Sequence, residues 1–338
     1  MMLLFILLLF SIILVNGWTD APNAISTCVA TRSLSAGTAV ALAAVCNFCG
    51  SVGMALINSN VAKTVFGIAN LPSDPNDAIF VLCAAMSAVV IWALIATRFG
   101  IPTSESHALI SGLAGAAIAS QMTLRAINFD ELLRVFYGLF LSTLPAFFMA
   151  RISYTVMISF FKKRERRRVI QRFTRAQIFS AASSALLHGA QDSQKFMGVL
   201  MLGISLRYSY DQESFTLPLG VIISCAAVMM LGTLLGGKSI IKKVGVDMVS
   251  LDAVGGTAAD FASSSVLTVC SFLGFPVSTT HSKACAMMGV GSQEHGGGTD
   301  KKIAAEILCA WLLTFPICAV IGFLLTILYL AMKGFILC

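Results

Sequence analysis

The chain has 338 residues, of which 57% are hydrophobic and only 12% charged, with a mean hydropathy of +0.86. That balance excludes the two or three soluble domains the length alone would allow and places the chain among polytopic membrane proteins. A net charge of +7 argues for nucleic acid only if it is spread as a surface, whereas eight of the 23 basic residues lie within 161–175, between apolar segments. Such a run is the mark of a cytoplasmic loop obeying the positive-inside rule.

In chain order, residues 1–31 predict one crossing, interrupted by the polar stretch Asn16-Gly-Trp-Thr-Asp-Ala-Pro-Asn23. The first 15 residues look like a signal-peptide core but lack a basic start and a small-residue cleavage site, so they are taken as the first half of that helix. Residues 35–57 and 77–97 predict the next two crossings, followed by a polar interruption at 100–107 and further segments at 108–124 and 132–160. The basic loop 161–175 separates the halves. The second half repeats the plan with segments at 176–206, 215–236, 248–272, 282–291 and 303–332. No alternation of apolar and polar residues suggests a barrel, so the fold class expected is an all-α polytopic membrane protein. All ten cysteines lie in apolar stretches or, for Cys338, at the terminus, and predict neither a disulfide framework nor a metal site.

Two motifs occur twice. Gly100-Ile-Pro-Thr-Ser-Glu-Ser-His107 returns as Gly274-Phe-Pro-Val-Ser-Thr-Thr-His281, each with a Gly eight residues after the His, at Gly115 and Gly289. Asn16–Asn23 is answered by His188-Gly-Ala-Gln-Asp-Ser-Gln-Lys195. The aspartates Asp20 and Asp192 are 172 residues apart and the prolines Pro102 and Pro276 are 174 apart, which is the trace of a duplication. The expected domains are therefore a first transmembrane repeat, 1–160, the loop 161–175, and a second repeat, 176–338. Five crossings per repeat is an odd number, so the second half must be inserted upside down. With the basic loop inside, both termini lie outside and 15 of the 23 basic residues fall on the inner side. Inverted repeats with broken or re-entrant helices belong to secondary transporters, whose sites lie at the repeat interface.

Pro102 and Pro276 predict helix starts. The hydroxyl clusters after them, Thr103, Ser104 and Ser106 in one half and Ser278, Thr279 and Thr280 in the other, would sit where free N–H groups and the positive end of the dipole emerge. Two such turns facing each other make an anion site. Capping accounts for one serine at each end but not for matched three-hydroxyl clusters. Asp20 and Asp192, each in an apolar segment with amide neighbours (Asn16 and Asn23; Gln191 and Gln194), suit a hard cation or a proton relay, against a structural network or an Asp192–Lys195 ion pair. His107 and His281 have no Cys/His company and predict helix-packing donors. Asp260 has no convincing counterpart in the first half.

At these residues the chain resembles the PiT family of inorganic phosphate transporters over nearly its whole length. The resemblance implies cation-coupled phosphate uptake, with sodium or protons as coupling ion and no other cofactor, in the plasma membrane. It implies phosphate contacts from Ser104, Ser106, Ser278 and Thr280, and cation contacts near Asp20, Asn23, Asp192 and Gln194. Thr19 and Gln191 stand where the family usually has Asn, Pro22 where a small residue is common, and Glu105 is an acid inside the anion motif. Some relatives carry sulfate; a carboxylate acceptor favours phosphate, which keeps a proton. A channel is a third reading. An intramembrane hydrolase using Ser104 or Ser278 is disfavoured, since no nucleophile elbow is present. The expected partners are phosphate, the coupling ion and the bilayer, without nucleic acid; a homo-oligomer is compatible with the sequence.

Overall fold

The computed structural model describes residues 1–98, 103–208, 215–293 and 298–337, so Gly100 and Pro102 lie outside the described residues. The described chain forms thirteen α-helices and no strand. The first half comprises α1 (Met2–Thr19), α2 (Ala21–Ala30), α3 (Ala36–Ile57), α4 (Asn60–Phe66), α5 (Pro75–Arg98), α6 (Glu105–Gln121) and α7 (Phe129–Phe161). The second comprises α8 (Arg166–Tyr208), α9 (Leu219–Leu235), α10 (Lys238–Lys242), α11 (Ala253–Leu273), α12 (Thr279–Gly291) and α13 (Lys301–Leu337).

The halves exchange partners. Helix α6 packs on α13 and α12 on α7; α3 packs on α8 and α1 on α9; α5 packs on α6 and α11 on α12. Even small devices recur: an isolated antiparallel bridge pairs Ala69 with Ile127 in one half and Val249 with Thr299 in the other. Each half therefore completes its packing with helices of the other, and neither encloses a core alone.

Helix composition explains where the sequence expectation and the fold part company. Among the described residues, five spans are long and apolar enough to cross a membrane: Met2–Ala30, Ala36–Ile57, Pro75–Ala96, Phe129–Phe161 and Lys301–Lys333. A sixth is added if Leu219–Leu235 and Ser239–Met248, bent by 70°, count as one. The other four of the ten expected crossings are α6, α8, α11 and α12. With 17 and 13 residues, α6 and α12 are shorter than the ~20 residues that a ~30 Å hydrocarbon layer needs. Helices α8 and α11 are diluted by the polar residues they bury. The lipid-compatible surface lies elsewhere, on faces such as Phe136, Phe140, Leu144 and Phe148 of α7, all exposed.

Two local expectations need correction. Only residues 162–165 separate α7 from α8; residues 166–175 of the basic run form the first turns of α8, because Arg and Gln favour helix and no Gly or Pro interrupts them. The two acidic motifs also differ. Helix breaks at Asp20, where Pro22 has no N–H to offer, but runs unbroken through Asp192, because Gln194 takes the equivalent place and keeps its N–H. The interruption is a single residue: Asp20 keeps helical backbone angles (φ −91°, ψ −39°) and its N–H still bonds the Asn16 carbonyl at 2.8 Å, so neither aspartate has unwound backbone beside it.

Close approach accounts for the repeated glycine. A Cβ at Gly115 would overlap the Ala319 carbonyl of α13, and one at Gly289 the Phe147 carbonyl of α7. The equivalent glycines let a short site helix lie directly against a long helix of the opposite half.

A buried ion pair and its hydrogen bonds join four helices of the interior. Lys283 of α12 bonds Asp260 of α11, whose other oxygen accepts from Ser180 of α8 at 2.8 Å; Thr27 of α2 donates to Asp260 Oδ1 at 2.8 Å. Lys283 also donates to the Ala24 carbonyl at 3.1 Å. At the same distance from Pro102 as Lys283 and Asp260 are from Pro276, the first half has Leu109 and Met86, both in its apolar core. The pair has no polar counterpart, as the sequence suggested for Asp260.

Gly115→Val and Gly289→Val are expected to destabilise the protein by about 1–3 kcal/mol or more, as overpacking against backbone does, read as a lower melting temperature in detergent. Lys283→Met alone should cost about 3–5 kcal/mol by stranding Asp260, and Asp260→Leu with Lys283→Met should recover most of that loss. A double variant no more stable than the single one would show that the pair does more than neutralise itself.

Candidate functional site

The site is built where α6 and α12 begin. In each, the motif's first serine is the cap: Ser104 Oγ accepts the His107 N–H and Ser278 Oγ accepts the His281 N–H, both at 3.3 Å. Pro276 therefore precedes the helix rather than opening it, since Ser278 takes the capping position and α12 starts at Thr279. That leaves Glu105 and Ser106 in the first turn of α6, and Thr279 and Thr280 in the first turn of α12. Their backbone N–H groups have no partner within the helix, and both dipoles present their positive ends here.

From these turns the contacts cross between halves. Lys195 of α8 donates to Ser106 at 2.6 Å, and Asn23 of α2 donates to Thr280 at 3.1 Å. Lys195 and Asn23 each stand three residues after their motif's aspartate, so the two bonds are equivalent. Lys195 uses its remaining hydrogens on Asp192 Oδ1, at 2.5 Å, and on the Val277 carbonyl. Asp192 Oδ2 accepts from Thr279 at 3.3 Å and lies 3.3 Å from His188 Nε2, while His188 Nδ1 meets Asn47 Oδ1 at 3.1 Å.

Asn16 joins the halves at the centre. Its Nδ2 lies 3.2 Å from Asp20 Oδ2, 2.9 Å from Glu105 Oε2 and 3.2 Å from Asp192 Oδ2. An amide nitrogen carries two hydrogens, and here three carboxyl oxygens share them. Thr19 repeats the shortage: its single hydroxyl hydrogen faces both Glu105 Oε1, at 2.5 Å, and the Val15 carbonyl, at 2.8 Å. All five side chains are buried. The cluster is thus short of hydrogens, and of its three carboxyl groups only Asp192 has a fixed positive charge bonded to it, that of Lys195.

A small cavity adjoins it, lined by Asp20, Asn23, Ser184, His188, Thr279 and Lys283, with room for about one water-sized sphere, roughly 10 Å³. Two chemistries therefore meet within a few side chains. Free helix N–H groups, hydroxyls and an ammonium suit an oxyanion; carboxylates with amide oxygens suit a hard cation.

Most of the expected residues converge here: Asp20, Asn23, Asp192, Ser106, Thr279 and Thr280. Ser104 and Ser278 arrive as caps, each oxygen accepting an N–H while its own O–H hydrogen is left to donate, and Thr103 is buried just before the α6 cap. Gln194 does not join. Its side chain donates to the Asn58 carbonyl at 2.7 Å and accepts from the Ala62 N–H, because it points from α8 toward the start of α4. His107 and His281 pack rather than donate. Their rings meet edge-on at 4.4 Å between centroids, and His281 stacks on Trp311 at 3.6 Å.

Sequence reasoning did not place Asn16, Thr19 and Glu105 in one cluster, nor recognise His188 and Lys283. Position offered a signal for one of these: His188 stands four residues before Asp192, as Asn16 does before Asp20. For Lys283 the sequence held only a lone lysine after a histidine.

Comparison with known proteins places the chain in a family. Residues 16–322 match the model of the phosphate transporter family. A Bacillus subtilis protein named "Probable low-affinity inorganic phosphate transporter" is 35% identical over 308 residues, covering 91% of both chains. A Rhizobium meliloti protein of the same name is 33% identical, covering 91% of this chain and 90% of its own. A solved structure titled "The sodium-dependent phosphate transporter" shares the fold, with a TM-score of 0.80 at 21% identity over 96% of this chain and 98% of that one. The duplicated motifs, the helix packing they direct and the match across nearly the whole chain lead to one conclusion: this is a multi-pass membrane protein that belongs to the phosphate transporter family.

Proposed function

We propose that the protein is a secondary active transporter that takes up inorganic phosphate in symport with sodium or protons. The observation that carries this reading is the convergence of three carboxyl groups on Asn16 Nδ2 beside the open first turns of α6 and α12. Phosphate is negative, and importing it against a negative-inside potential costs about 2.3 kcal/mol per charge per 100 mV. A coupled cation offsets that cost, and the carboxyl cluster is where it binds.

The anion is held by Ser106, Thr279, Thr280 and the free N–H groups of both helices. Thr103, Ser104 and Ser278 shape the turns that present them. The cation is held by Asp20 and Asn23, with Asp192 on the other side of Asn16. Phosphate is preferred to sulfate because it brings a proton that a carboxylate can accept, whereas sulfate would leave that carboxylate unpaired. The exchange of partners between halves supports two inverted repeats that rock about this site, the alternating-access arrangement of secondary transporters. In this reading the protein lies in the plasma membrane, with the basic run 161–175 in the cytoplasm and both termini outside. A channel has no need of a cation cluster against its anion site.

Reconstituted into proteoliposomes, the protein is expected to accumulate phosphate under a sodium or a proton gradient, with sulfate a weak competitor. Sulfate outcompeting phosphate would reverse the substrate assignment, and dissipative flux without accumulation would make the protein a channel. Ser106→Ala and Thr280→Ala should each raise KM for phosphate about ten- to a hundredfold, the equivalent of ~1.5–3 kcal/mol for a hydrogen bond to a charged group. Asp20→Asn should abolish gradient-driven uptake. Gln194→Ala, by contrast, should leave the cation dependence unaltered, since its amide serves the Asn58–Ala62 backbone.

A further inference from the structure

The two halves neutralise their aspartates differently. Three residues after Asp192 comes Lys195, whose ammonium is bonded to Asp192, Ser106 and Val277 and has no hydrogen left. Three residues after Asp20 comes Asn23, which donates to Thr280 as Lys195 does to Ser106 but brings no charge. The oxygen atoms near Asp20 are also unsatisfied. Asn16 Oδ1 and Asn23 Oδ1 are buried and have no hydrogen-bond partner. Residues 16, 20 and 23 fall at i, i+4 and i+7, on one face of the helix.

The surrounding charges leave little choice of partner. Asp260 is matched by Lys283, which lines the same cavity as Asp20 but is bonded to Asp260, Ala24 and Thr27. Asp192 is matched by Lys195, with His188 beside it. Of the four buried acids among the described residues, Asp20 and Glu105 alone have no basic group bonded to them. A carboxylate inside a membrane is matched by a fixed cation or by a mobile one. In the second half it is fixed.

Resting on the cation-coupled reading above, we propose that Lys195 is a tethered counter-ion that occupies the cation position at Asp192. The exchangeable cation, sodium or proton, then binds at a single place, between Asp20, Glu105 and the free oxygens of Asn16 and Asn23. Lys195 thereby sets the coupling stoichiometry: a chain with a neutral residue at this position would carry two mobile cations where this one carries one.

The test is the order of phosphate uptake in cation concentration, measured in proteoliposomes of the full chain. Sodium is titrated at fixed pH, and protons are titrated without sodium, so the two sources are separated. Wild type is expected to be first order in the ion that drives it. Lys195→Asn, which installs the first half's residue, is expected to become second order. A merely structural loss would lower the rate without changing the order. Asn23→Lys, which tethers a cation at the remaining site, is expected to lose dependence on both gradients while still exchanging internal for external phosphate. Second-order dependence in wild type, first-order dependence in Lys195→Asn, or wild-type cation dependence in Asn23→Lys would each overturn the proposal. If Lys195→Asn fails to fold, the wild-type order and Asn23→Lys decide it. Wild type driven by neither gradient would overturn the symport reading itself and this proposal with it, an outcome distinct from second-order coupling.

Discussion

A carboxylate inside a membrane persists only if hydrogens or positive charge reach it, and the described residues include four that are buried, Asp20, Glu105, Asp192 and Asp260. Much of the interior is arranged around that demand. Two lysines are drawn in to meet two of the acids. One amide nitrogen, Asn16 Nδ2, is shared among the three that remain close together. The supply is still short, and in the proposed reading that shortage is what lets the cluster take up a cation. A fully satisfied network would hold the helices together and bind nothing further.

The helices that carry these groups cannot be ordinary spanning helices. α6 and α12 are short, so that their N-termini end inside the protein rather than at its surface. Their caps, Ser104 and Ser278, consume one N–H each and leave the others free. Gly115 and Gly289 let each short helix rest against the backbone of a long helix from the opposite half. Each half is held by the other at the point where the site forms, an arrangement that suits the proposed alternating access.

Duplication gave the two halves the same frame, and divergence gave them different charges. Asn16 answers His188, Asn23 answers Lys195, Pro22 answers Gln194, and Leu109 answers Lys283. In the second half the acids carry their own counter-ions and the helix through the site is continuous. In the first half Pro22 interrupts the helix's hydrogen bonding beside the aspartate, no basic group is bonded to Asp20 or Glu105, and the Asn16 and Asn23 amide oxygens stand unpartnered, as Gln191 Oε1 does in the second. Charge balance is complete on one side and left open on the other.

The sequence by itself determined the class, the duplication and most of the site's residues. Hydropathy reports solvent, a fixed offset reports ancestry, and polar residues in apolar segments are costly enough to mark function wherever they occur. Tertiary structure decided the rest. The departure of Gln194 toward α4 and the meeting of Glu105 with Asn16 and Thr19 depend on which helix lies beside which. A motif fixes the face of a helix on which a side chain stands, because that is a matter of local periodicity. The group that side chain meets is set by helices up to half a chain away, and only packing brings those together.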